Sequence, residues 1–151
     1  MVRPIRFGIV GTGMIAHVVA NAMSLAADVQ LHAVVSRNQR KADAFSQKCG
    51  ATVAYSDWRA LVADENIDVI YVATPTAGRE EICLAAIANG KHLISEKPFL
   101  NGGSARRIAD AAQRQGVAFM DATHFSHHPR TEVVHQRIAD HLGKAKSRWL
   151  H

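Results

Sequence analysis

The stretch FGIVGTGMIA, residues 7–16, constrains the fold more than any other part of this chain. The apolar run Ile5 to Val10 reads as a short buried strand. From Met14 to Ala26 the apolar residues Ile15, Val18, Val19, Ala22 and Met23 recur at helical spacing, so a helix follows at once. Between the two stand Gly11-Thr12-Gly13. Glycines at such a handover either turn the chain tightly or keep side chains away from a surface that something must approach.

The same alternation continues to the far end of the chain. Strands are expected at Leu31 to Val35, Thr52 to Tyr55, Val69 to Ala73, His92 to Ser95 and Val117 to Met120. Helices are expected at Gln39 to Lys48, from the cap Asp57 through Ala63, at Arg79 to Ala88, Ser104 to Gln115 and Pro129 to Leu142. Gly50, Gly90, Gly116 and Gly143 close helices. The unbroken apolar run Val69-Ile70-Tyr71-Val72-Ala73 marks a strand covered on both faces. Strands alternating with helices through short connections predict the α/β class: a doubly wound parallel sheet of the Rossmann type.

Composition excludes several functions. With 48% hydrophobic and 21% charged residues in 151, the chain is an ordinary globular sequence. No apolar run reaches membrane-spanning length, and glycines interrupt the only stretch resembling a signal peptide, so a cytoplasmic location is expected. The net charge of +5 raises the question of nucleic acid. However, Arg37, Arg40 and Lys41 form one modest cluster, Lys144, Lys146 and Arg148 another, and no aromatic residues interleave them. No nucleic-acid partner is expected; a small phosphorylated ligand explains the first cluster. Cys49 and Cys83 lack metal-type spacing and read as free thiols.

Gly11-Thr12-Gly13-Met14-Ile15-Ala16 fits the dinucleotide fingerprint, with alanine in the third small position. Gly11 permits the turn, Gly13 lets a pyrophosphate approach the main chain, and Ala16 lets the helix pack on the strand. The motif follows a strand and opens a helix, which is the context it requires. Gly11, Thr12, Gly13, Met14 and Ile15 are therefore candidate cofactor-binding residues. The fingerprint also expects an acidic residue at the end of the second strand, to hold a ribose hydroxyl pair. Ser36 stands there, followed by Arg37, with Lys41 in the next helix. A serine and two cations accept a 2′-phosphate that a carboxylate repels. The expected cofactor is NADP in preference to NAD.

Two later strand ends face the same crevice, because ligands of open parallel sheets lie across the carboxyl ends of strands. One is Ala73-Thr74-Pro75-Thr76; the other is Glu96-Lys97-Pro98. The order of glycine turn, Ala-Thr-Pro and "GKHLISEKP" resembles the nucleotide-binding half of the Gfo/Idh/MocA oxidoreductases, over residues 5 to about 130. The resemblance implies that Ala73, Thr74, Pro75 and Thr76 pass beneath the cofactor. It implies that Lys97 lies near the nicotinamide as the catalytic residue, and that Glu96 contacts the ring or fixes the lysine. It implies a cis bond before Pro98. Family members often continue with Asn-x-x-His, where this chain has Thr76-Ala77-Gly78-Arg79.

His124, His127 and His128 cluster after the last strand. No acidic or cysteine pattern completes a metal site, so none is expected; His124 or His127 is a candidate for lining the pocket. The expected domains are a Rossmann unit at 1–122, and a connecting loop, helix and start of a second domain at 123–151. Residues 144–151 read as the beginning of a strand. The resemblance implies a second α/β domain bearing a helical Asp-x-x-x-His pair, which this sequence does not supply, and oligomers in its presence. The expected activity is hydride transfer to or from a secondary alcohol or carbonyl of a small-molecule sugar, polyol or similar cyclic substrate. The alternatives are a non-catalytic dinucleotide-binding or sensing module, and a phosphosugar- or coenzyme-A-binding domain without redox chemistry.

Overall fold

The structure is a computed structural model that describes residues 3–142. The expected strand at 144–151, the basic residues within it and the Gly143 helix stop lie outside the described residues. The elements run β1 (Ile5–Val10), α1 (Met14–Met23), β2 (Val29–Val35), α2 (Gln39–Cys49), β3 (Val53–Tyr55), α3 (Trp58–Ala63), β4 (Val69–Val72), α4 (Arg79–Ala88), β5 (His92–Ser95), α5 (Gly102–Gln115) and β6 (Phe119–Asp121). A 3-10 turn at His124–His127 and α6 (Pro129–Leu142) follow.

All strand pairs are parallel, in the order β3-β2-β1-β4-β5-β6. The chain builds outward from β1 in one direction, then returns to build in the other. That reversal opens a crevice between the ends of β1 and β4. On one face Ile9, Leu31, Val34 and Tyr71 pack against Ala16, Ala20 and Phe45 of α1 and α2. On the other, Val10, Ala33, Ile70, Val72 and Leu93 pack against Leu61, Cys83, Ile87 and Ile108 of α3, α4 and α5. Ala16 is fully buried in the first layer, as the close helix–strand approach requires.

Helix boundaries follow their caps. Asn38, Asp57 and Asn101 each accept a backbone N–H of the first turn, from Lys41, Arg59 and Ser104. Asn101 starts α5 at Gly102, two residues before the expected Ser104. Helix α1 ends at Met23 rather than Ala26, because the Ser24 hydroxyl donates to Asn21 O and the Leu25 and Ala26 amides turn back three residues. Strand β6 starts at Phe119 rather than Val117, whose N–H is spent on Ala112 O at the end of α5. The β1–β2 register slips by one residue, leaving His32 without a β1 partner, and its imidazole meets the Asp64 carboxylate at 3.1 Å.

The end of the sheet away from the crevice is fastened by Asp68. Its carboxylate accepts from Arg3 Nη1 at 2.7 Å and from the Arg6 backbone N–H at 2.9 Å. Hydrogen bonds from Arg3, then from Arg6, hold this carboxyl well below the usual carboxylate range. A depressed folded-state pKa means the stabilisation is present above the unfolded value, near about pH 4, and is lost as pH falls. Arg3 is exposed, so its share is screened by solvent. Asp68→Asn is expected to cost about 1–3 kcal/mol at neutral pH. Urea titrations of both proteins should show that gap narrowing below about pH 4; a gap independent of pH would contradict the assignment.

Candidate functional site

The crevice is built by strand ends fastened to one another. Gly11 N–H donates to Val35 O at 2.9 Å, Ala73 N–H to Val10 O at 2.8 Å and Glu96 N–H to Val72 O at 3.0 Å. The turn after β1, the loop after β4 and the segment after β5 are thereby set side by side. They line one open cleft of about 1300 Å³.

Gly11 and Gly13 serve different ends. Gly11 has φ +111°, and a Cβ there would stand 3.0 Å from Ala73 O, so the turn itself demands glycine. Gly13 has an ordinary extended backbone, φ −78° and ψ −179°, and a Cβ there would meet nothing within 4 Å among the described residues. It caps α1 without any side-chain hydrogen bond, which leaves the first-turn N–H groups facing the cleft.

Thr12, Ile15, Ser36, Arg37 and Lys41 continue the same wall. Thr12 and Ser36 hydroxyls meet at 3.4 Å, which joins the glycine turn to the end of β2. Ala73, Thr74 and Pro75 form the opposite wall, with Glu96 and Lys97 at the end. Met14 lies outside these walls and is 85% exposed. Thr76 lies just beyond them, its hydroxyl 3.4 Å from Pro98 O. Among the described residues the buried Thr74 hydroxyl has no hydrogen-bond partner, a rare state for a polar atom.

Glu96 and Lys97, adjacent in sequence, behave differently. Glu96 is buried, and its carboxylate accepts the Tyr71 hydroxyl from beneath. Burial, then the Glu96 carboxylate, raises the Tyr71 phenol far above its usual range, so it stays a donor. Lys97 is exposed at the cleft, and the Lys97–Pro98 bond is cis. His124 Nε2 stands 3.7 Å from Glu96 Oε1, on the outer side of that carboxylate. The His127 side chain lies outside what the structure describes. Among the described residues, no three histidine, cysteine or acidic side chains gather as a metal site. No helix among them is long and apolar enough to cross a membrane. Cys49 and Cys83 are unpaired thiols.

Several wall residues escaped the sequence reading. Arg79 is 5% exposed and bonds backbone carbonyls on two of the strand-end loops. Trp58 and Arg59, stacked at 4.3 Å, close the side beyond β3, where Arg59 also pairs with Glu81 at 2.9 Å. His17 and Phe45, with rings 4.4 Å apart, line the side under α1. The local signal for Arg79 was its place in Thr76-Ala77-Gly78-Arg79, the stretch that departs from Asn-x-x-His, and the structure adds that Gly78 before it is left-handed.

Residues 5–123 match the sequence model of the Gfo/Idh/MocA group, described as an oxidoreductase family with an NAD-binding Rossmann fold. The chain belongs to this family. Among curated Gfo/Idh/MocA relatives, it is 35% identical over 119 residues to the scyllo-inositol 2-dehydrogenase (NADP(+)) IolU of Bacillus subtilis, covering 78% of this chain and 36% of that protein. It is 30% identical over 142 residues to D-xylose 1-dehydrogenase (NADP(+)) 2 of Haloferax volcanii, covering 93% of this chain and 44% of the relative. The crystal structure of KijD10, a 3-ketoreductase from Actinomadura kijaniata in complex with NADP, superposes with TM-score 0.86 at 27% identity, over 91% of this chain and 44% of that one. The chain thus spans less than half the length of these relatives.

The residues present fit the dinucleotide that a Gfo/Idh/MocA fold implies. The open space at Gly13 admits a pyrophosphate, the uncapped helix start offers N–H donors, and the Thr74 hydroxyl has bonding capacity left.

Proposed function

We propose that residues 1–122 form the cofactor-binding portion of an NADP-preferring dehydrogenase or reductase, with 123–151 leading into a substrate domain. The substrate class is a sugar, polyol or similar cyclic alcohol, or the matching carbonyl. The inositol and xylose dehydrogenases among the relatives support that class. The nicotinamide supplies the redox chemistry when bound. What this chain contributes is position and charge. Gly11, Thr12, Gly13 and Ile15 hold the pyrophosphate end, with Thr74 and Pro75 opposite. Lys97 is the group at the reacting oxygen: its ammonium orients a hydroxyl or polarises a carbonyl, and passes or receives the proton. Glu96, held by Tyr71, fixes the backbone from which Lys97 projects.

The observation that carries the cofactor preference is the end of β2. Ser36 occupies the acidic position of the fingerprint, with Arg37 and Lys41 exposed beside it on the same wall. A 2′-phosphate gains two charge-assisted contacts there and meets no carboxylate. NADPH is expected to bind about tenfold or more tightly than NADH in a fluorescence titration. Equal affinities, or tighter NADH, would overturn the preference; no binding of either would overturn the dinucleotide reading.

A further inference from the structure

We infer that Arg79 is the positioning residue for the nicotinamide half of this site, by tying the loop after β4 to the segment that carries Lys97. The inference rests on the dinucleotide reading above. Arg79 opens α4 yet is 5% exposed. Its guanidinium turns in toward the loops after β4 and β5 rather than out into solvent. Nε donates to Thr74 O at 3.1 Å, and Nη2 donates to the same carbonyl. Nη1 donates to Glu96 O and to Pro98 O, the latter at 2.8 Å. One planar fork therefore clamps carbonyls of two adjacent strand-end loops, after β4 and after β5, including those flanking Lys97 on either side.

Two features separate this from ordinary structural packing. First, the partners are all backbone carbonyls of cleft loops; among the described residues no carboxylate forms an ion pair with Arg79. A buried cation is costly, and here that cost is offset by the carbonyls it bonds and by the nearby Glu96 charge, so the fold holds it in place to do this work. Second, the geometry uses what only arginine has: several N–H donors in a rigid plane. A lysine carries the same charge but, as a single point of donation, cannot span Thr74 O and Pro98 O with the same fixed geometry. Relaxing the clamp frees the Glu96-Lys97-Pro98 segment to shift, whereas the Ser36, Arg37 and Lys41 wall keeps its own supports.

The test compares two ligands on the full chain. NADPH reaches both halves of the cleft; 2′,5′-ADP carries only the phosphorylated adenosine half. For Arg79→Lys, NADPH affinity is expected to fall about tenfold or more, as loss of charge-assisted bonds implies. Affinity for 2′,5′-ADP should stay within about threefold of wild type. Arg79→Met should show the same split, more strongly. If Met at this position prevents folding, the Lys variant carries the comparison. Equal losses for both ligands would mean a general structural role and would overturn the inference, as would unchanged NADPH affinity in Arg79→Lys. A wild-type chain that binds neither ligand removes the dinucleotide reading, and this inference with it.

Discussion

Gly13→Asp is expected to weaken NADPH binding by more than about 100-fold while the protein melts at the same temperature or higher. The two effects have opposite signs because the glycine is unnecessary to the fold. Its φ of −78° suits any residue, and a Cβ there meets nothing within 4 Å among the described residues. Aspartate is a favoured N-cap, so its carboxylate would take the free N–H groups at the start of α1. Those are the groups a pyrophosphate needs, and the added charge repels it. Gly11 is the contrasting case, since φ +111° and the Ala73 carbonyl at 3.0 Å make any substitution there a structural injury. Fluorescence titration and a thermal melt of Gly13→Asp decide the matter. Binding retained within about tenfold would mean that the turn does not hold the phosphates.

Lys97→Ala should lower turnover by about 10²–10⁴-fold, the usual worth of a positioned proton-transfer group. Lys97 is exposed, so its removal leaves no cavity and no orphaned partner. NADPH affinity should therefore remain within about threefold. The assay follows nicotinamide absorbance with a panel of sugars and polyols, using a substrate the wild-type protein turns over. Unchanged turnover would remove the lysine from the chemistry. Turnover and cofactor affinity falling together would make it a binding residue instead.

Much of this architecture was legible because each element carries its own signal. Strand and helix periods alternate along the chain, and Gly50 and Gly116 sit in the left-handed conformation that ends α2 and α5. The glycine turn, Ser36 with Arg37, and Glu96-Lys97-Pro98 are local patterns, and the parallel order brings their strand ends to one side. Arg79 was not legible. A charged residue opening a helix reads as solvated, and its burial depends on where two distant loops come to rest. Tyr71 was hidden within an apolar run, which says that both faces are covered but not what lies over the hydroxyl. The slipped register at His32 likewise depends on the meeting of two strands rather than on either alone.

The inward turn of Glu96 has an effect beyond local geometry. Side by side in the sequence, Glu96 and Lys97 look like a self-neutralising couple. Folded, the Glu96 carboxylate is drawn in against Tyr71 while the Lys97 ammonium stays in water, and the cleft is lined by six lysines and arginines against three carboxylates, so its mouth carries a positive field. Capture of a polyanionic guest is therefore expected to be faster at low ionic strength and to slow as salt screens the approach.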